Sequence, residues 1–153
     1  MKAVTVDALG SIFTESLIDV ISKISGFSLD VLSTGNDPNL DENVALMSLN
    51  SIKTGMILIS AGEPDMRTIC SYMEGVSEAE ITNEDIKDVL CELLNMTAGN
   101  AKLRLGDTEY MFTLSSPVLI HGNELTISTK KRVNVISRLI GNEEISIKLK
   151  VIY

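Results

Sequence analysis

The stretch Glu92-Leu-Leu-Asn95-Met-Thr-Ala-Gly99-Asn100-Ala-Lys102 decides how the rest of the chain is read. At about 100° per residue, Ile86, Val89, Leu90, Leu93, Leu94 and Thr97 gather into one mostly apolar stripe. Asp88, Glu92, Asn95 and Gly99 then fall together on the opposite face. Residues three apart are neighbours on a helix, so Glu92 and Asn95 project side by side into solvent. A carboxylate beside an amide that both donates and accepts is a pair able to grip a cation and orient a water. Gly99, one turn later, leaves that face open to close approach by another backbone. Spacing alone gives such a pair no function, because a Glu and an Asn on a polar helix face ordinarily form solvated surface.

Working outward, the helix has a clear start. Thr82 can cap it, Asp85 stands three residues on as a shorter version of the capping-box glutamate, and Ile81 can staple onto Ile86. The pattern predicts a helix from about Asn83 to Ala98 or slightly beyond. Upstream, Asp7 to about Ser25 reads as a first helix with Leu9, Ile12, Phe13, Leu17, Val20, Ile21 and Ile24 on its apolar face, capped by Gly26. Gly62-Glu-Pro64 opens a second, ended by Gly75. Strands are expected at Phe27–Ser33, Asn43–Ser51 and Gly55–Ser60. Downstream, the expected strands are Ala101–Leu105, Glu109–Leu114, Val118–His121, Glu124–Lys130, Arg132–Ile140 and Glu144–Tyr153. Helices alternating with runs of strands make the fold class α+β, with three main helices packed on a long, antiparallel-rich sheet.

The whole chain fits one domain. At 153 residues, 44% hydrophobic and 22% charged, it is long enough for a single buried core. The net charge of −8 opposes nucleic acid and anionic membrane surfaces, both of which need a basic footprint. No apolar run approaches a membrane span, and the N-terminal stretch has no signal-peptide pattern. Cys70 and Cys91 sit among apolar neighbours and read as buried small side chains in a reducing compartment, so the cytoplasm is expected. His121, the single histidine, lies by Gly122 in a turn with no ligand near it in sequence, so no metal site is expected. Lys130-Lys131-Arg132 reads as a hairpin bend or a solvated edge.

A weak internal echo accompanies the central helix. Asp19-Val-Ile-Ser22-Lys-Ile-Ser-Gly26 repeats Glu92-Leu-Leu-Asn95-Met-Thr-Ala-Gly99 in type at an offset of 73 residues, and strands follow both copies. Two amphipathic helices that both end at glycine would give the same echo.

The run Asp88-Val-Leu-Cys-Glu92-Leu-Leu-Asn95-Met-Thr-Ala-Gly99-Asn100-Ala-Lys102 resembles the signature of the CheX branch of the CheC/CheX phosphatases, a family of bacterial chemotaxis and two-component signalling. Ser60-Ala-Gly-Glu-Pro64 through Met73-Glu-Gly75 is similar to the helix and Met-x-Gly-like turn that precede that signature. Leu114-Ser-Ser-Pro117 through Gly122 is similar to the Ser-x-Pro strand and glycine turn that follow it. The likeness is clear over residues 54–123 and holds only in pattern at the two ends. It implies a pseudo-twofold fold of two helix-strand halves. It further implies a phosphorylated CheY-type response regulator as substrate, cleaved at its aspartyl phosphate. By motif position, Glu92 would anchor the regulator's active-site lysine and Asn95 would orient the attacking water. Asp88, Gly99 and Asn100 would line the partner surface. Asp19 and Ser22, a shorter acid and a hydroxyl in the first-half motif, would be degenerate. The magnesium would belong to the regulator, with no cofactor bound by this chain. The long C-terminal strands leave an edge that needs covering, and a homodimer built on sheet edges is expected. A non-catalytic contact module like the flagellar switch proteins' middle domain, and a phosphatase for a regulator outside chemotaxis, are the other readings.

Overall fold

A computed structural model of the chain describes residues 1–130 and 132–153. Three helices, α1 (Val6–Ser25), α2 (Glu63–Glu74) and α3 (Asn83–Arg104), pack on a seven-stranded antiparallel sheet. The strands are β1 (Asp30–Thr34), β2 (Asn43–Asn50), β3 (Gly55–Ala61), β4 (Thr113–Leu114), β5 (Val118–His121), β6 (Val135–Gly141) and β7 (Ser146–Ile152). Among the described residues, no helix is long and apolar enough to cross a membrane.

The strand order carries the two halves. The sheet runs β1-β6-β7-β3-β2, and β2 pairs at its outer edge with β4 and, further along, with β5. Exchanging β1 with β5, β2 with β6 and β3 with β7 returns the same order reversed, so a pseudo-twofold axis passes between β3 and β7. The hairpins β2–β3 and β6–β7 meet there in antiparallel register, with Ile57 opposite Val151. This is the pseudo-twofold arrangement of two halves that the family resemblance implied.

Period-two burial sets the helix-facing side. Met47, Ile57, Val151 and Ile136 stand in one register row across four strands, each buried beneath the helices. Phe13 of α1 enters this layer and stacks on Phe112, with ring centroids 6.2 Å apart. Gly10 allows α1 to lie close: a Cβ there would come 3.0 Å from Arg138 Nη2 and 3.4 Å from Ile136 Cγ2. On the other face, Lys150 is buried between Leu149 and Val151 in sequence. It donates to the Asp37 carbonyl and to Ser137 Oγ, 2.8 Å away, holding the loop before β2 against the sheet. Its desolvation is thereby compensated by hydrogen bonds.

Three expectations are corrected. Ala101–Leu105 is helical: α3 continues to Arg104, because Ala101 and Leu105 are both buried one turn apart. Glu109–Leu114 contributes only the two residues of β4, the preceding residues forming turns in which Met111 N–H bonds the Thr108 carbonyl. Glu124–Lys130 is no strand. It makes one bridge, Thr126 with Asn39, flanked by Leu40 N–H to the Leu125 carbonyl and Ile127 N–H to the Pro38 carbonyl, each 2.9 Å. Of the bend at residues 130–132, Lys131 lies outside the described residues, and Arg132 takes a turn conformation at φ 76°.

Candidate functional site

Placement of the Glu92 face begins at the helix start. Thr82 Oγ1 accepts the Asp85 N–H at 3.2 Å, and the Asp85 carboxylate accepts the Thr82 N–H at 2.8 Å. That backbone bond holds the Asp85 carboxyl below its ordinary range. Arg67 of α2 donates to the Ile81 carbonyl at 2.6 Å and to Glu63 at 2.9 Å, so the neighbouring helix fixes the chain entering α3. From there the expected stripe is buried in full, Ile86, Val89, Leu90, Leu93, Leu94 and Thr97 included, and Ala98 and Ala101 extend it.

With that side fixed, the other must face out. Asp88 and Glu92 are exposed, and Asn95 and Gly99 are half-buried on the same flank. Lys87 turns to Glu84, 3.1 Å away, instead of toward its acidic neighbours. Among the described residues, no ion pair or side-chain hydrogen bond engages Asp88, Glu92 or Asn95. A carboxylate and a carboxamide are thus presented together on a firmly packed helix with their bonding capacity free. Gly99 adds a second mark. A Cβ placed there meets nothing within 4 Å, and its φ is not positive, so the chain's own packing and backbone give no reason for glycine. Gly10 of α1, by contrast, has such a reason.

Asn100 is placed differently from the other expected contact residues. Its Oδ1 accepts from Arg104 Nε at 3.1 Å. Arg104 also donates to Glu15 at 3.0 Å and to Asp19, clamping the last turn of α3 onto α1. The acid of the first-half motif is therefore held in an internal ion pair. Ser22, at the amide position, is half-buried near the end of α1, where its carbonyl accepts the Gly26 N–H. The two echo glycines differ as well: Gly26 ends α1 in the left-handed conformation at φ 75°, whereas α3 runs through Gly99. The clamping role of Arg104 was not legible in the sequence, since its partners Glu15 and Asp19 lie on a distant helix.

The Glu92 face lies outside the main groove. A groove of about 590 Å³ lies instead on the buried flank of α3, where Ile86 and Leu90 meet Leu119 and His121 of β5, and it includes none of Asp88, Glu92, Asn95 or Gly99. His121 Nδ1 lies 3.1 Å from Asn43 Oδ1 there. Small-molecule sites are concave and enclose their ligand. A helix face outside any groove suits a macromolecular substrate whose own cleft supplies the enclosure.

The family model described as "Chemotaxis phosphatase CheX" matches residues 44–140, more than half of the chain. Solved structures share the fold. A CheC-like superfamily protein from Shewanella sp. PV-4 aligns over 97% of this chain and 98% of its own, at 23% identity and TM-score 0.82. The chemotaxis protein CheX from Desulfovibrio desulfuricans aligns over 94% and 97%, at 20% identity and TM-score 0.79. A chain of the CheX–CheY–BeF3–Mg+2 complex from Borrelia burgdorferi aligns over 93% and 96%, at 17% identity and TM-score 0.71. Among curated protein sequences there is no match.

Proposed function

The chain belongs to the chemotaxis phosphatase CheX family, and on that premise we propose that it dephosphorylates the aspartyl phosphate of a CheY-type response regulator. The observation that carries this reading is the unengaged Glu92–Asn95 pair on an exposed, rigidly seated helix face. A CheX–CheY complex in a protein of the same fold supports the choice of partner.

In this mechanism Glu92 forms an ion pair with a lysine beside the regulator's phosphorylation site, and Asp88 adds negative charge on the same flank. Asn95 enters the regulator's cleft, accepts a hydrogen bond from a water through its carbonyl, and holds that water in line with the P–O bond. The water oxygen attacks phosphorus, and the bond to the aspartyl carboxylate breaks. The carboxylate leaves with the bonding pair, and the water's proton passes to the departing phosphate. An acyl phosphate is already labile, and phosphoryl transfer depends mainly on positioning and charge stabilisation. Orienting one water can supply an acceleration on the order of a hundredfold. Magnesium, in this reading, is held by the regulator beside the phosphoryl oxygens, and this chain contributes no ligand to it.

The C-terminal strands β6 and β7 have neighbours on both sides, contrary to the expectation that they leave an edge, so the homodimer on sheet edges is proposed at β5 instead. The outer edge of β5 presents Val118, Leu119 and Ile120, 53%, 38% and 41% exposed, beside unpaired backbone groups that a second copy can cover. Light scattering at micromolar concentration tests it, and a monomer there removes it.

The test of the activity is the decay of a phosphorylated CheY-type regulator with and without the protein, alongside Glu92→Ala and Asn95→Ala. We expect faster decay with the natural sequence, weakened binding in the first variant, and intact binding without acceleration in the second. Unchanged decay with retained binding would make the protein a contact module and overturn the catalytic reading.

A further inference from the structure

Leu103 is 84% exposed, standing on a helix turn that is otherwise firmly held. A single exposed leucine is ordinary on any protein surface. Three observations separate this one. First, it lies one turn beyond Gly99 and continues the line of Glu92, Asn95 and Gly99 on the outward flank of α3. Second, Gly99, one turn before it on the same line, leaves open space that the Leu103 side chain borders without entering. A Cβ at Gly99 would have nothing within 4 Å, and leucine and glycine together make a raised apolar rim beside a notch. Third, this turn does not fray. Arg104 bonds Asn100, Glu15 and Asp19, Leu105 is fully buried, and the Leu105 N–H closes on the Ala101 carbonyl at 3.0 Å.

We propose that Leu103 and the Gly99 notch form an apolar seat for the response regulator, continuous with the Glu92–Asn95 pair and setting which regulator is accepted. This rests on the reading of that pair as the regulator-binding site. Eleven residues separate Glu92 from Leu103, about 16 Å at the helical rise. The partner surface must therefore carry a lysine at one end and an apolar side chain about 16 Å away. Charge selects the first end, since among the described residues no cation pairs with Asp88 or Glu92. Shape and apolarity select the second. A regulator with the lysine but a charged residue at the far end would meet Leu103 unpaired and bind poorly.

The experiment compares Leu103→Ser, Leu103→Met and Ile52→Ser with the natural protein. Binding to a beryllofluoride- and magnesium-loaded CheY-type regulator is followed by titration calorimetry, and phosphoryl decay is measured across regulator concentration. Ile52 is 80% exposed in the β2–β3 turn and serves as the control for losing a surface aliphatic. Leu103→Ser should weaken the complex roughly tenfold, the scale of one buried aliphatic side chain. The regulator concentration for half-maximal acceleration should rise equally, with the saturating rate held. Leu103→Met should retain binding, and Ile52→Ser should match the natural protein. Thermal melting of Leu103→Ser should fall only slightly, by serine's weaker helix propensity, since the leucine side chain is largely exposed. Unchanged affinity in Leu103→Ser, with binding still lost in Glu92→Ala, overturns the seat and leaves the activity standing. Loss of self-association in Leu103→Ser at unchanged regulator affinity assigns the patch to a second copy and equally overturns it. A natural protein that neither binds nor accelerates removes the activity and the seat together.

Discussion

Gly99→Ala should make the protein more stable and a poorer partner at once. Gly99 lies inside α3, five residues from its end, where alanine is favoured over glycine by about 0.8–1.0 kcal/mol. Nothing opposes that gain. The added Cβ meets no atom within 4 Å, and the backbone is in the ordinary helical region. For a chain of this size, 1 kcal/mol corresponds to a rise in Tm of about 2–4 °C. Thermal melting by circular dichroism measures it, and a urea midpoint shifted upward at constant slope confirms that the native state alone has changed. Gly10→Ala provides the internal contrast. It would gain the same propensity, but its Cβ falls 3.0 Å from Arg138 Nη2 and 3.4 Å from Ile136 Cγ2, so crowding consumes the gain and Tm stays level or falls. In regulator titrations, Gly99→Ala should bind more weakly, because the methyl fills the space left open beside Leu103. A neutral or lowered Tm would refute the claim that this glycine answers to no contact within its own chain. A raised Tm with undiminished binding would refute its assignment to a partner.

Other perturbations have equally definite expectations. Thr82→Ala removes the cap of α3 and should cost about 1 kcal/mol in denaturant unfolding. The Asp85 carboxyl is held below its ordinary value of 3.8 by the Thr82 N–H, so it stabilises the fold at pH values above 3.8 and loses that effect as pH falls through its native value. The stability gap between the natural protein and Asp85→Asn, measured across pH, should be open at neutrality and close in acid. Arg104→Gln breaks exposed ion pairs to Glu15 and Asp19 and should cost no more than about 1 kcal/mol, less at high salt. Burial, aided by Glu74 and Asp85, pushes the Cys70 thiol up to about 12, so a disulfide reagent at pH 8 should leave it unmodified until the protein is unfolded.

How far the sequence revealed this molecule depends on whether the deciding contacts were local. The start of α3 was legible because Thr82 and Asp85 bond to each other's backbone within one turn. Its buried stripe was legible because every member obeys one period. The end of the helix was not. Ala101, Leu103 and Leu105 alternate with Lys102 and Arg104, the pattern of a half-buried strand, and Gly99 just before them resembles a terminator. The structure resolves the alternation differently, burying Ala101 and Leu105 a turn apart and leaving Leu103 outside. What tips the balance is distant in sequence: Arg104 reaches Glu15 and Asp19, and Lys2 N–H bonds the Asp107 carbonyl just past the helix. Glu124–Lys130 failed for a related reason, the backbone of Leu125 and Ile127 bonding the 38–40 segment instead of extending the sheet. The Glu92–Asn95 face survived every correction, since its exposure follows from the burial opposite it and from nothing farther away. The added turn of α3 enlarges that face, because only a continuous helix puts Leu103 in line with Glu92. Had Ala101–Leu105 been a strand, the Gly99 notch would have ended the helix and bordered no apolar rim.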